Sequence, residues 1–198
     1  MKVLVAGATG KTGQRLTREL IERGHEPVAL VRESSDTSVL PEGAQLRKGD
    51  LTDLQADVCE GCDAVVFAAG SGADTDEEMT RKVDRDGAKR LVDLAKQSGA
   101  RRFVMLSSVG TEDPPEEGDM APYLQAKHDA DEHLKASGLP YAIVRPVALT
   151  EDDGNRDIRY GTDVDMSGEA ARGDVAWVLA EAVDSDAWLG EATRMQSV

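Results

Sequence analysis

Cysteine is nearly absent: Cys59 and Cys62 are the only two in 198 residues, so no framework of several disulfides holds the chain together. Their CxxC spacing lacks the helix on which a redox dithiol normally opens, because the strand-like run Asp63 to Ala69 follows directly. The three histidines, His25, His128 and His133, stand at no ligand spacing from the pair, so no metal site is expected and the thiols read as structural and reduced. His128 and His133 read as solvated charges on an acidic helix, and Trp177 and Trp188 as packing residues. No apolar run approaches the roughly 20 residues that a bilayer helix needs. Residues 2 to 6 already read as a strand where a signal peptide would carry a basic and then an apolar stretch, so the expected location is cytoplasmic. Positive charge is scarce, with 23 Lys and Arg against 38 Asp and Glu and a formal net charge of -15. That balance argues against nucleic acid or an anionic membrane as partner. Acid runs at Asp74 to Glu78, Glu112 to Asp119, Asp129 to Glu132 and Glu151 to Asp153 are spread along the chain. Besides solubility, they suit a saline cytoplasm, where a Debye length of about 3 Å at molar salt screens self-repulsion.

The length fits one domain, and apolar runs of strand length alternate with amphipathic stretches of helix length. Strands are predicted at Lys2 to Ala6, Pro27 to Val31, Ala44 to Arg47, Ala64 to Ala69, Arg102 to Leu106 and Tyr141 to Arg145. Helices are predicted near Lys11 to Arg23, Thr52 to Cys59, Asp76 to Ser98 and Pro122 to Ser137, with Gly24, Gly99 and Gly138 marking helix stops. Val147 to Gly168 is polar, acidic and unassigned, and residues 147 to 170 are the expected substrate-pocket region. A helix over Gly173 to Val183 and a final strand over Glu191 to Gln196 complete the chain. The expected fold is α/β: a Rossmann-type doubly wound parallel sheet with helices on both faces, in a single domain.

Gly7-Ala8-Thr9-Gly10-Lys11-Thr12-Gly13 lies between the first strand and the first helix, where open backbone N–H groups and a positive dipole end meet a pyrophosphate. Gly7 permits the tight turn, Gly10 the approach of phosphate, and Gly13 close packing of helix on strand. NAD-preferring folds place an acid at the end of the second strand; here Arg32 follows Val31, with Ser34 and Ser35 behind it. A planar cation and hydroxyls suit a 2'-phosphate, so NADPH is expected over NADH, with Lys11 adding charge. The bland alternative for Arg32 is a solvated strand-end charge. Tyr123 and Lys127 lie four apart in a helix opened by Pro122, so both project from one face, and an ammonium there favours the phenolate. The alternative is an exposed helix face carrying YxxxK by chance.

The GxxGxxG spacing in VLVAGATGKTG, with GDLTD at Gly49 to Asp53, AAG at Ala68 to Gly70, VDRDG at Val83 to Gly87, LSSVG at Leu106 to Gly110, YLQAK and VRP, resembles the atypical short-chain dehydrogenase/reductases. The similarity spans nearly the whole chain and points to the NAD(P)H-binding group whose members carry epimerase, dehydratase or flavin-reductase labels. The resemblance implies that Thr9 and Thr12 belong to the cofactor turn, that Asp50 and Leu51 line the adenine, and that Ala68, Ala69 and Gly70 pass beneath the cofactor. It implies Pro146 and Val147 near the nicotinamide, although Pro146 equally reads as a strand terminator. It gives Tyr123 the proton exchange with substrate, Lys127 the nicotinamide ribose, and Ser108, in preference to Ser107, a hydrogen bond to the reacting oxygen. One departure stands out: the asparagine of the long helix is replaced by Asp84, whose carboxylate can pair with Lys127 and weaken its effect on Tyr123.

The expected activity is therefore an NADPH-dependent oxidoreductase acting on a small-molecule substrate, a carbonyl, quinone or flavin-like acceptor. The short stretch after Pro146 leaves little material for a cap enclosing a nucleotide-sugar. An epimerase or dehydratase with tightly held cofactor, and a non-catalytic NADPH sensor, are the alternatives. The resemblance allows a homodimer through helices, but no patch for one is legible in the sequence.

Overall fold

The computed structural model describes residues 1–72 and 76–198, so Asp74 of the first acidic run lies outside the described residues. Val3, Leu4, Val5 and Ala6 are wholly buried as β1 (Lys2–Ala6), which fits a strand covered by helices on both faces. α1 (Lys11–Glu22), β2 (Glu26–Val31), β3 (Gln45–Lys48) and β4 (Ala64–Phe67) follow. α2 (Glu77–Thr80) runs through a π-helical turn at Arg81–Gly87 into α3 (Ala88–Gln97). Next come β5 (Arg102–Leu106), α4 (Ala121–Ala136) and β6 (Tyr141–Pro146). The chain then forms β7 (Ala148–Thr150), β8 (Ile158–Tyr160), β9 (Glu169–Ala171), α5 (Arg172–Asp184) and β10 (Glu191–Ser197).

The eight-stranded sheet has the order β3-β2-β1-β4-β5-β6-β10-β8, parallel except where β8 runs against β10. The winding reverses between β1 and β4, which opens a crevice at their carboxyl ends. Alternate strand residues serve opposite faces. Val3, Val5, Val66 and Val104 pack with Leu16 and Leu20 of α1 and with Val178 and Leu179 of α5. Leu4, Phe67, Phe103 and Ile143 pack with Leu91 and Leu94 of α3 and with Leu134 of α4. The fold is thus the doubly wound single domain expected from the alternation of apolar runs. No helix among the described residues is long and apolar enough to cross a membrane.

Two expectations are corrected, and one unassigned region gains structure. Thr52 to Cys59 is a chain of turns and not a helix, because the Asp50 carboxylate captures the Thr52 backbone N–H at 2.9 Å and its hydroxyl at 2.8 Å. That local bonding competes with helix nucleation. Leu54, Val58, Cys59 and Cys62 still turn inward to fill the space that a helix would cover. The region Val147 to Gly168, unassigned from sequence, contains β7 and β8. The two histidines do not lie free in solvent: half-buried His128 has Nδ1 2.7 Å from the Thr111 carbonyl oxygen, and half-buried His133 has Nε2 2.8 Å from Asp93. Both cysteines are free and buried, and burial pushes the Cys59 thiol up to about 12.

Candidate functional site

α1 starts directly after Gly10, which is extended (φ -74, ψ 163), offers no side-chain cap, and is followed by no acid in the first turn. The first N–H groups of the helix therefore remain available to an anion. Gly7 has φ 85, and a Cβ on it would stand 2.6 Å from Ala69 Cα, so only glycine lets the turn press against the end of β4. A Cβ on Gly13 would come within 2.0 Å of the Gly7 carbonyl oxygen; one on Gly10 would stand 3.2 Å from it. Gly13 is thus barred from carrying a side chain by the turn itself, whereas Gly10 faces outward. Gln14 Nε2 donates to the Thr9 carbonyl at 2.8 Å and steadies the turn. The charge expected from Lys11 is already engaged, since its ammonium pairs with Glu151 at 2.8 Å.

Arg32 is exposed at the end of β2, its backbone N–H donating to Ser35 Oγ at 3.0 Å. Its guanidinium makes no ion pair among the described residues. Asp50 follows β3, and hydrogen bonds from Thr52, with Arg32 nearby, hold its carboxyl below the usual range. Leu51 is half-buried against α2 and its π turn, where a Cβ on Gly87 would fall 2.7 Å from the Leu51 carbonyl oxygen. An open cleft of about 680 Å³, lined among others by Leu51, Leu54, Met79, Lys82 and Arg90, lies on this side. Ala68 and Ala69 are half-buried and Gly70 is exposed at the end of β4. Pro146 ends β6, and its carbonyl accepts the Val109 N–H at 3.1 Å. Val147 is buried in the core, so its side chain faces the interior.

Tyr123 and Lys127 occupy successive turns of α4, with Lys127 Nζ 5.7 Å from the Tyr123 ring centroid. Lys127 is buried and donates to the Leu106 carbonyl at 3.1 Å and to that of Ala69 at 3.4 Å, while Asp84 Oδ1 lies 3.3 Å away. An ammonium has three N–H donors, and two carbonyls accept from it here, with the Asp84 carboxylate as its ion-pair partner. Burial opposes its charge, but Tyr123, Asp84 and Asp131 outweigh burial and raise its pKa. Asp84 sits inside the π turn, fully buried, with Oδ2 accepting the Ser71 N–H at 2.9 Å and Oδ1 lacking a hydrogen-bond partner. π turns interrupt helices frequently at functional sites.

The two serines after β5 differ. Ser107 is buried and donates to Asp131 Oδ2 at 2.8 Å, whereas Ser108 is half-buried and its hydroxyl is not tied to that network. Asp131 also holds Arg145 Nη2 at 3.0 Å and Thr111 Oγ1 at 3.1 Å. Arg145 reaches on to Glu112 at 3.3 Å. None of this network was singled out from sequence. Its one signal is spacing, since Asp131 continues the Tyr123, Lys127 face by another four residues. Arg172, which donates to Thr12 Oγ1 at 3.0 Å, was also missed, and no motif marks it.

A parallel sheet reversing at β1 and β4, a bare helix start over three glycines, and a Tyr-Lys pair beside the strand ends define an atypical short-chain dehydrogenase/reductase. A family profile described as NAD(P)H-binding matches residues 7–186, and the chain belongs to that family. A Bacillus subtilis protein named uncharacterized sugar epimerase YhfK is 35% identical over 190 residues, covering 93% of this chain and 88% of its own. A solved structure from Bacillus halodurans, provisionally named an NAD-dependent epimerase/dehydratase, is 38% identical with a TM-score of 0.94, covering 100% of this chain and 94% of its own. The oxidoreductase ylbE of Lactococcus lactis is 28% identical with a TM-score of 0.87, covering 100% and 91%.

Proposed function

We propose that the protein is an NADPH-dependent oxidoreductase that reduces a small carbonyl, quinone or flavin-like acceptor in a saline cytoplasm. The observation that carries the reading is the position of Lys127: it ties α4, which also bears Tyr123, to the ends of β4 and β5, the edge where such folds bind their cofactor. When bound, the reduced nicotinamide supplies a hydride. For a carbonyl or quinone, Tyr123 donates the proton to the acceptor oxygen, and Ser108 hydrogen-bonds that oxygen as its charge develops. Lys127 sets its positive charge beside the phenol ring, and the Asp84 carboxylate lies against the same ammonium. The uncapped N–H groups at Lys11 and Thr12 would receive the pyrophosphate, and Arg32 with Ser34 and Ser35 would receive the 2'-phosphate.

The test is NADPH oxidation against a panel of carbonyls, quinones and flavins, with Tyr123→Phe beside wild type. The expected loss for the variant is about 10²- to 10⁴-fold. Unchanged turnover removes Tyr123 from the mechanism. The names of the two Bacillus relatives favour a second reading, an epimerase or dehydratase using a cofactor that it retains. Conversion of a sugar nucleotide with no net change in coenzyme would select it. Coenzyme binding with neither activity would select the sensor.

A further inference from the structure

β7 and β9 lie side by side with Thr150 opposite Ala171, so the residues that follow them, Glu151 and Arg172, leave the pair together. Both are delivered to the start of α1. Arg172 donates from Nη1 to Thr12 Oγ1 at 3.0 Å and from Nε to Glu151 Oε1 at 3.2 Å. The same carboxylate oxygen takes Lys11 Nζ at 2.8 Å. Arg15 fastens the segment from the other side, donating to the Glu151 carbonyl at 2.6 Å and to Asp153 at 2.8 Å. The two segments are closely packed: a Cβ on Gly173 would lie 1.9 Å from the Asp153 carbonyl oxygen. Thr12 itself is buried in the first turn of α1, within the glycine turn.

A mostly buried guanidinium beside the second residue of a helix whose N–H groups are uncapped is a cation set where a phosphate would bind. Glu151 is the anion that now bridges this cation and Lys11, and its carboxylate is exposed enough to leave. We infer that Arg172 is a pyrophosphate-binding residue and that the cofactor's pyrophosphate exchanges with Glu151 for Arg172 and Lys11. The inference rests on the dinucleotide reading above and adds a ligand from the far end of the chain. Because the pyrophosphate is common to both coenzymes, Arg172 serves NADPH and NADH equally, unlike Arg32.

The test is calorimetry on the full chain at one fixed KCl concentration, with NADPH, NADH and adenosine 2'-monophosphate as probes. Arg172→Ala is expected to weaken both coenzymes by the same factor, about tenfold or more, and to leave adenosine 2'-monophosphate unchanged. Glu151→Gln, which leaves the packing of Arg172 in place, is expected to tighten both coenzymes severalfold. Wild-type binding retained in Arg172→Ala, equal loss of all three probes, or weaker coenzyme binding in Glu151→Gln overturns the inference alone. Wild-type protein that binds neither coenzyme overturns the dinucleotide reading itself.

Discussion

Asp84 Oδ1 lies 3.3 Å from Lys127 Nζ, and both side chains are closed off from solvent. Removing one member of a buried ion pair strands the other's charge and costs about 3–5 kcal/mol, whereas an apolar replacement of both is often tolerated. Asp84→Ala should therefore lose about 3–5 kcal/mol in urea denaturation. The double variant with Lys127→Met should recover much of that loss; additive costs would show that the two groups do not act as a pair.

Arg32 makes no ion pair among the described residues at the end of β2, and only NADPH carries a 2'-phosphate for it. Arg32→Ala should weaken NADPH by about tenfold or more and NADH by much less. Equal loss for the two coenzymes in titration calorimetry would refute the preference.

The glycines of the turn should separate by role. Gly13→Ala drives a methyl to within 2.0 Å of the Gly7 oxygen and should cost at least about 1–3 kcal/mol of stability. Gly10→Ala meets its neighbour at 3.2 Å, so it should keep most of its stability and lose coenzyme affinity through crowding of the phosphate. A Gly10→Ala protein with full affinity would move the pyrophosphate elsewhere.

A thiol pushed up to about 12 by burial stays protonated in the folded chain at ordinary pH. Iodoacetamide should spare Cys59 in the native protein and modify it after urea unfolding. Because the unfolded thiol ionises near about pH 8.5, this stability is complete below that pH and declines as pH rises towards the folded value. Cys59→Ala should show a shallower alkaline loss of stability than wild type; identical slopes would contradict the burial effect.

A formal charge of -15 on this small fold predicts that the urea midpoint rises from dilute buffer to molar KCl. A midpoint independent of salt would remove the saline-cytoplasm proposal.

The core elements were legible because a buried parallel strand is an unbroken apolar run and each helix carries one apolar face. The strand and helix limits from Lys2 to Ala6 through Glu191 to Ser197 fall within two residues of expectation wherever the pattern was periodic. Thr52 to Cys59 misled because its apolar residues have helical spacing, and only the Asp50 side chain, bonding to Thr52, decides the turn. The π turn at Arg81–Gly87 was hidden for a different reason: its residues read as one continuous helix, and nothing in their spacing marks the wider turn. Arg172 and Asp131 were missed because their partners, Thr12 and Arg145, are brought to them by packing of α5 on α1 and of α4 beside β6.

The two margins of the large sheet are built unlike its centre. β3 spans Gln45–Lys48 and carries Arg47 and Lys48, and β8 is three residues long and runs against its neighbour. A short rim bearing cations, and a stub of opposite direction, make poor templates for backbone pairing with another molecule. A second molecule thus finds little backbone at either margin along which to extend the ribbon.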